Sequence, residues 1–190
     1  VARFNADGSL DASFDDEGVV GTGLHDGASN SSQRLEFTGV VVLPGGKVVA
    51  VGVGQDSFSS SILVLVRYAP DGNLDESFGD NGRVLVREIP PRVKGLVVSD
   101  LVRQSDGKLV VGGSATVSAG RSFALVRFNA DGSLDSGFGL GGYALTVMSP
   151  SHDEHARALT LQSDGKLVAA GYASVRGERR FALARFRTNG

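Results

Sequence analysis

The densest chemistry in this chain is Ser-His-Asp-Glu-His at 151–155. His152, Asp153, Glu154 and His155 are donors of the kind that hold zinc or a similar cation. They lack the i, i+4 spacing of a helical ligand pair. The equivalent stretches elsewhere are Lys-Gly-Leu-Val (94–97) and Gln-Arg-Leu-Glu (33–36), which could not do the same job. A hydrated polar loop is therefore the preferred reading, with no metal expected. The second candidate is the heptad Asn-Ala-Asp-Gly-Ser-Leu-Asp at 5–11 and 129–135, with Ala-Pro-Asp-Gly-Asn-Leu-Asp at 69–75. Oxygens on Asn5, Asp7, Ser9 and Asp11 resemble calcium ligands, but a loop of EF-hand type closes on a bidentate Glu. Here the chain runs on to Phe14, Phe78 and Phe138. The structural alternative is better. Asp7, Asp71 and Asp131 start Asx turns, Gly8, Gly72 and Gly132 supply positive φ, and Asp11, Asp75 and Asp135 pair with nearby arginines.

Those residues sit in a repeat. The heptad glycines Gly8, Gly72 and Gly132, with Gly190 in the same place, are spaced 64, 60 and 58 residues apart. Arg3, Arg67, Arg127 and Arg185 each precede that glycine by five, and Phe14, Phe78 and Phe138 follow it by six. A second motif, Gly/Asp-Gly-Lys followed by an apolar run, stands at 45–52, 106–113 and 164–171. Each unit reads as an apolar pair of strands joined by a glycine turn, a third strand such as Phe-Ala-Leu-Val-Arg-Phe (123–128), the heptad, and a fourth strand. Runs such as Leu-Val-Leu-Val (63–66) have little polar alternation, as expected of sheets covered on both faces. The fold class predicted is all-β: a β-propeller of four-stranded antiparallel blades, about three blade equivalents in one repeat domain over 1–190, with landmarks at 5–68, 69–128 and 129–190. It is preferred to a β-solenoid or stacked sandwich, whose coils are shorter and lack this hairpin pattern. With no tryptophan, the Trp-Asp blade signature is impossible.

Composition narrows the function classes. A net charge of -2 without any basic run argues against nucleic acid. No apolar stretch is long enough to span a membrane. The absence of cysteine removes disulfides, thiolate metal sites and cysteine nucleophiles. Glycine, at 27 of 190 residues, is well above the average of about 7%, which favours many tight turns. The chain starts with Val, as expected of a processed product or an excised piece.

Arg-Phe-Asn-Ala-Asp-Gly-Ser-Leu-Asp-Ser-Gly-Phe-Gly (127–139), followed by Leu-Gln-Ser-Asp-Gly-Lys-Leu-Val-Ala-Ala-Gly (161–171) and Phe-Ala-Leu-Ala-Arg-Phe (181–186), resembles the delta-60 repeat family of bacterial β-propellers. The first repeat departs from the pattern, with Asp15 where Gly79 and Gly139 stand. The resemblance implies a secreted or cell-surface location in bacteria and little about biochemistry.

Length variation between repeats falls almost wholly between the fourth strand and the next blade's first strand. Binding is therefore expected on that rim, from 24–34, 88–96 and 149–155 with 55–61, 117–122 and 175–180 beside them. Candidate ligand residues are His152, Asp153, Glu154, His155, Asp100 in a first strand facing the channel, and Arg176 and Arg179 in a charged turn with Glu178 and Arg180. No repeated inward carboxylate, nucleophile elbow or phosphate loop is present, so no catalytic residue and no cofactor is assigned. A binding or adhesion scaffold for a glycan or protein is the leading expectation, ahead of a structural spacer and of a glycan hydrolase or lyase on the axis. A ring needs about 4–8 blades. Three are expected to close only with a second copy, head to tail into six, or with neighbouring repeats, and residues 18–22 to form a fourth strand without a blade of its own.

Overall fold

The computed structural model describes residues 1–23, 35–55, 61–87, 93–118, 120–146, 148 and 153–190. Among the described residues eleven strands form three antiparallel sheets taken in chain order. The first sheet holds β1 (Leu35–Val42), β2 (Val48–Gln55), β3 (Ser61–Tyr68) and β4 (Arg83–Val86). The second holds β5 (Val93–Arg103), β6 (Leu109–Val117), β7 (Gly120–Phe128) and β8 (Tyr143–Thr146). The third holds β9 (Glu154–Leu161), β10 (Leu167–Val175) and β11 (Glu178–Phe186). The predicted all-β blade plan is the architecture observed, with three of four strands in the last blade.

The local causes repeat as faithfully as the residues. Each first strand carries a bulge at one register, between Phe37 and Gly39, Val98 and Asp100, and opposite the Ala170–Gly171 step. Opposite it stand Gly52, Gly113 and Gly171, where an added Cβ would run into the carbonyl of Glu36, Val97 or His155. Valine, isoleucine and leucine fill β3 without polar alternation, because the second blade covers one of its faces and the N-terminal segment the other.

Packing between sheets makes three apolar layers. Val49, Val51, Leu63 and Leu65 of the first blade meet Leu96, Val98, Leu101 and Val126 of the second. Val110, Phe123 and Leu125 of the second meet Leu159, Leu167, Ala169 and Phe186 of the third. A third layer lies on the other side of the first blade, where Phe14 and Val20 cover Val48, Ala50, Val64 and Tyr68. Residues 18–20 therefore do have a place. Val19 bridges Ala2, and Val1 and Val20 exchange backbone hydrogen bonds of 2.8 and 2.9 Å, so the N-terminal segment is the outer half of a blade.

Candidate functional site

On the heptad rim every turn is built the same way. Asp7, Asp71 and Asp131 accept the backbone N–H two residues on, at 3.0, 3.0 and 2.9 Å. Gly72 and Gly132 combine φ of 92° and 93° with a close neighbour: a Cβ at Gly72 would meet the backbone nitrogen of Asp15 at 2.4 Å. Glycine is needed there for two independent reasons. Arg3, Arg67 and Arg127 each direct Nε to Asp11, Asp75 or Asp135 of their own blade at 2.7 Å. The other end of each guanidinium crosses to the next blade, where it donates to the carbonyls of Pro70, Ala130 and Thr188. The backbone N–H groups of Asp15, Gly79 and Gly139 donate in parallel to Asp71, Asp131 and Asn189. Each arginine also lies over Phe14, Phe78 or Phe138, at 4.3–4.6 Å from the ring centre. The blade-to-blade tie is thus made by arginine and main chain, while the aspartates hold the arginine in place. Lys47 and Lys108 add a second cation to Asp75 and Asp135 at 2.6 and 2.8 Å. Burial opposes ionisation of Asp75, but Lys47, Ser77 and Arg67 outweigh it and hold its carboxyl below the usual range. Lys108, then Arg127, does the same for Asp135.

The opposite rim has no such uniformity. At the junction of the second and third blades, Arg121 of β7 reaches the ring nitrogens of His155 at 3.1 and 3.2 Å. His155 Nε2 lies 3.0 Å from Asp153, whose other oxygen accepts from Ser174 Oγ at 2.7 Å. Nε2–H donating to Asp153 leaves Nδ1 to accept from Arg121. Ser174, then His155, holds the Asp153 carboxyl below its ordinary value. The His155 ring stacks on Tyr172 with centroids 4.6 Å apart and planes 17° apart. Arg179 and Arg157, both exposed, place their guanidiniums 4.9 and 5.7 Å from the centre of Tyr172. The result is a pile of aromatic rings and cations at the start of β9 and the end of β10.

Of the residues expected here, Asp153, His155 and Arg179 come together. His152 lies outside the described residues, as do 24–34, 56–60, 88–92, 119 and 149–151 of the expected binding loops. Glu154 is fully buried, and its Oε1 accepts the Met148 N–H. Arg176 is exposed at the tip of the β10–β11 hairpin with φ of 56°. Asp100 is engaged by main chain: one carboxylate oxygen accepts from Leu101 N and the other from Leu159 N of the third blade, at 2.8 and 2.9 Å. Among the described residues no three of His, Asp and Glu gather around a cation-sized space. The expected turn at 175–180 is shorter than the sequence indicates, since Glu178–Arg180 pair with Ala173–Val175 and extend β11. In the same way Gly120–Ser122 belong to β7 and Val93–Leu96 to β5. The third-blade ladder runs to its edge because backbone pairing continues whatever the side-chain charge.

Arg157, Tyr172 and Ser174 escaped the sequence reading, and Arg121 entered it only as part of the 117–122 stretch. The signal was a departure from the repeat: Tyr172 occupies the position of Val53 and Ser114, and Arg179 that of Ser61 and Arg121.

A family model described as "Domain of unknown function (DUF5122) beta-propeller" matches residues 1–14, 43–78, 104–138 and 162–190, which together are more than half of the chain. The matched stretches run from the glycine turn through the second and third strands to the heptad; the connections at 24–34, 88–96 and 149–155 fall between them with Asp153, His155 and Arg157, whereas Arg121, Tyr172 and Arg179 lie within them. No curated protein and no solved structure matches the chain. No helix among the described residues is long and apolar enough to cross a membrane.

Proposed function

The chain belongs to the DUF5122 beta-propeller family, and on that basis we propose that it is a non-enzymatic binding scaffold whose varied rim recognises an anionic glycan. The observation that carries this reading is the exposed pair Arg157 and Arg179 on the face of Tyr172, with Arg121 on His155 beside it. A guanidinium held over an aromatic ring keeps its outer N–H groups free for a bidentate carboxylate or sulfate. The nearby carboxylates do not compete for them. Asp153 is taken by Ser174 and His155, and Glu178 by Arg180 at 3.0 Å. The delta-60 resemblance supports placing this scaffold on an exported or surface protein of a bacterium. Both carboxylate oxygens of Asp100 are engaged by main-chain N–H groups, which weakens any hydrolase reading centred on the axis.

Calorimetric titration with a sulfated and a carboxylated oligosaccharide, against neutral dextran, tests the proposal. Salt-sensitive binding of the anionic sugars is expected, with at least a tenfold loss in the Arg157→Ala/Tyr172→Ala double variant. Equal affinity for dextran, or a double variant that binds as well as the parent, would remove the reading and leave a structural spacer. Release of shortened sugar products during the incubation would overturn its non-enzymatic part.

A further inference from the structure

The outer face of the third blade is built like the faces that neighbouring blades cover. Phe181 and Leu183 of β11 hold the repeat positions of Leu63 and Leu65 in the first blade and Phe123 and Leu125 in the second. Those four are at most 2% exposed, whereas Phe181 is 101% and Leu183 70% exposed. At the other end of the molecule Val40 is 59% exposed, where its equivalents Leu101 and Leu159 are 4% and 5%. Two junction faces of opposite hand thus stand on one chain, the third blade's bare and the first blade's covered only in part, by Phe14 and Val20.

Their chemistry is complementary. The N-terminal end, residues 1–23 and 35–42, carries one arginine against six carboxylates: Asp7, Asp11, Asp15, Asp16, Glu17 and Glu36. The third blade, 153–190, carries seven Lys and Arg against four Asp and Glu. Specific partners follow from repeat equivalence. Arg121 reaches His155 across the described junction; the same two positions at the open faces are Arg179 and Glu36. Lys47 and Lys108 bond the heptad aspartates Asp75 and Asp135, but Lys166 turns to Asp164. Asp11 is the heptad aspartate whose one cationic partner among the described residues is Arg3.

We propose that a second copy of this chain closes on the first, head to tail, so that two chains make one six-bladed ring. Residues 18–22 of the second copy add the fourth strand to β11, whose outer edge has no strand partner among the described residues. The register is that of Val66 with Arg83 and Val126 with Tyr143, which pairs Ala184 with Val19 of the second copy. The slot for it is a groove of about 890 Å³ lined by Leu140, Ala144, Thr146, Ala184 and Phe186. Val-Ala-Arg-Phe (1–4) and Leu-Ala-Arg-Phe (183–186) are duplicates of one strand end, so closure is an exchange. β11 replaces residues 1–4 beside Val19, and Arg185 replaces Arg3 on Asp11, with Lys166 joining as Lys108 does on Asp135. A head-to-tail contact makes a ring when its rotation closes and a filament when it does not, and six blades lie within the known range of about 4–8.

Light scattering on the full chain over a dilution series down from about 100 µM reads this directly, since association is concentration-dependent. The expected mass is twice the 19.7 kDa of one chain. Arg179→Glu and Glu36→Arg should each weaken association at least tenfold, and the two together should restore it. Phe181→Asp should give a monomer with an unchanged circular dichroism spectrum, because Phe181 supports nothing within one chain. A monomer throughout the series, a filament, or a charge swap without rescue would each overturn the proposal. Arg179 stands in both readings, on the same open face as Phe181, so mass and binding are read together: a parent chain that is a monomer and still binds anionic glycan would sink this inference and leave the function reading intact.

Discussion

On the heptad rim, Arg3, Arg67 and Arg127 repeat one set of contacts from blade to blade: an aspartate at 2.7 Å, a carbonyl of the next blade, and a phenylalanine ring. On the opposite rim, Ser61, Arg121 and Arg179 share a repeat position, yet Arg121 meets His155 and Arg179 lies over Tyr172. A contact made identically at every junction holds blades together. A position whose chemistry changes at each junction is not held to one blade-to-blade contact, and its side chain can vary without cost to the repeat.

The comparison can be broken by cutting into the constant rim. Phe138 is fully buried under Arg127 and among Phe123, Leu125 and Phe186. Phe138→Ala should cost about 3–5 kcal/mol in a urea unfolding curve, through lost burial plus the cavity left behind. A cost under about 1 kcal/mol would show that the latch is ornamental. Acid is a gentler probe of the same rim. Asp75 and Asp135 have carboxyl pKa values held below the ordinary one, so their contribution is complete above the unfolded value of about 3.9 and fades as pH falls through the depressed native values. Urea midpoints should be level from pH 7 to about 5 and drop below about 4, and Asp135→Asn should shallow that drop. The smallest effect belongs to the varied rim. Arg176→Ala, at an exposed hairpin tip, should shift stability by no more than about 0.5 kcal/mol. A larger loss would mean that this rim too carries structural load.

Much of this was legible because the repeat compares the chain with itself. Glycine at 8, 72 and 132, arginine five before it and phenylalanine six after it announce a turn, a strand end and a plug, and each sits as its type requires. Asp75 and Asp135 were readable as arginine partners for the same reason. The direction of the blade-to-blade tie was not, because it runs through the carbonyls of Pro70, Ala130 and Thr188, and a carbonyl has no letter in a sequence. The strand limits at Glu178 and Gly120 were hidden by charged and small side chains that pair through backbone alone. Asp100 looked like a channel residue because its equivalents are Gly39 and Ala158, but the next blade's Leu159 N–H claims it.

The sequence by itself determined the blade, its period, its turns and which rim repeats without change, since these depend on backbone propensity and spacing within about sixty residues. The tertiary structure alone decided that Tyr172, His155, Arg121, Arg157 and Arg179 share one surface. Those residues lie on four strands of two blades, and only the stacking of sheets, which sets the distances between strands remote in sequence, brings them to within a few ångströms of each other.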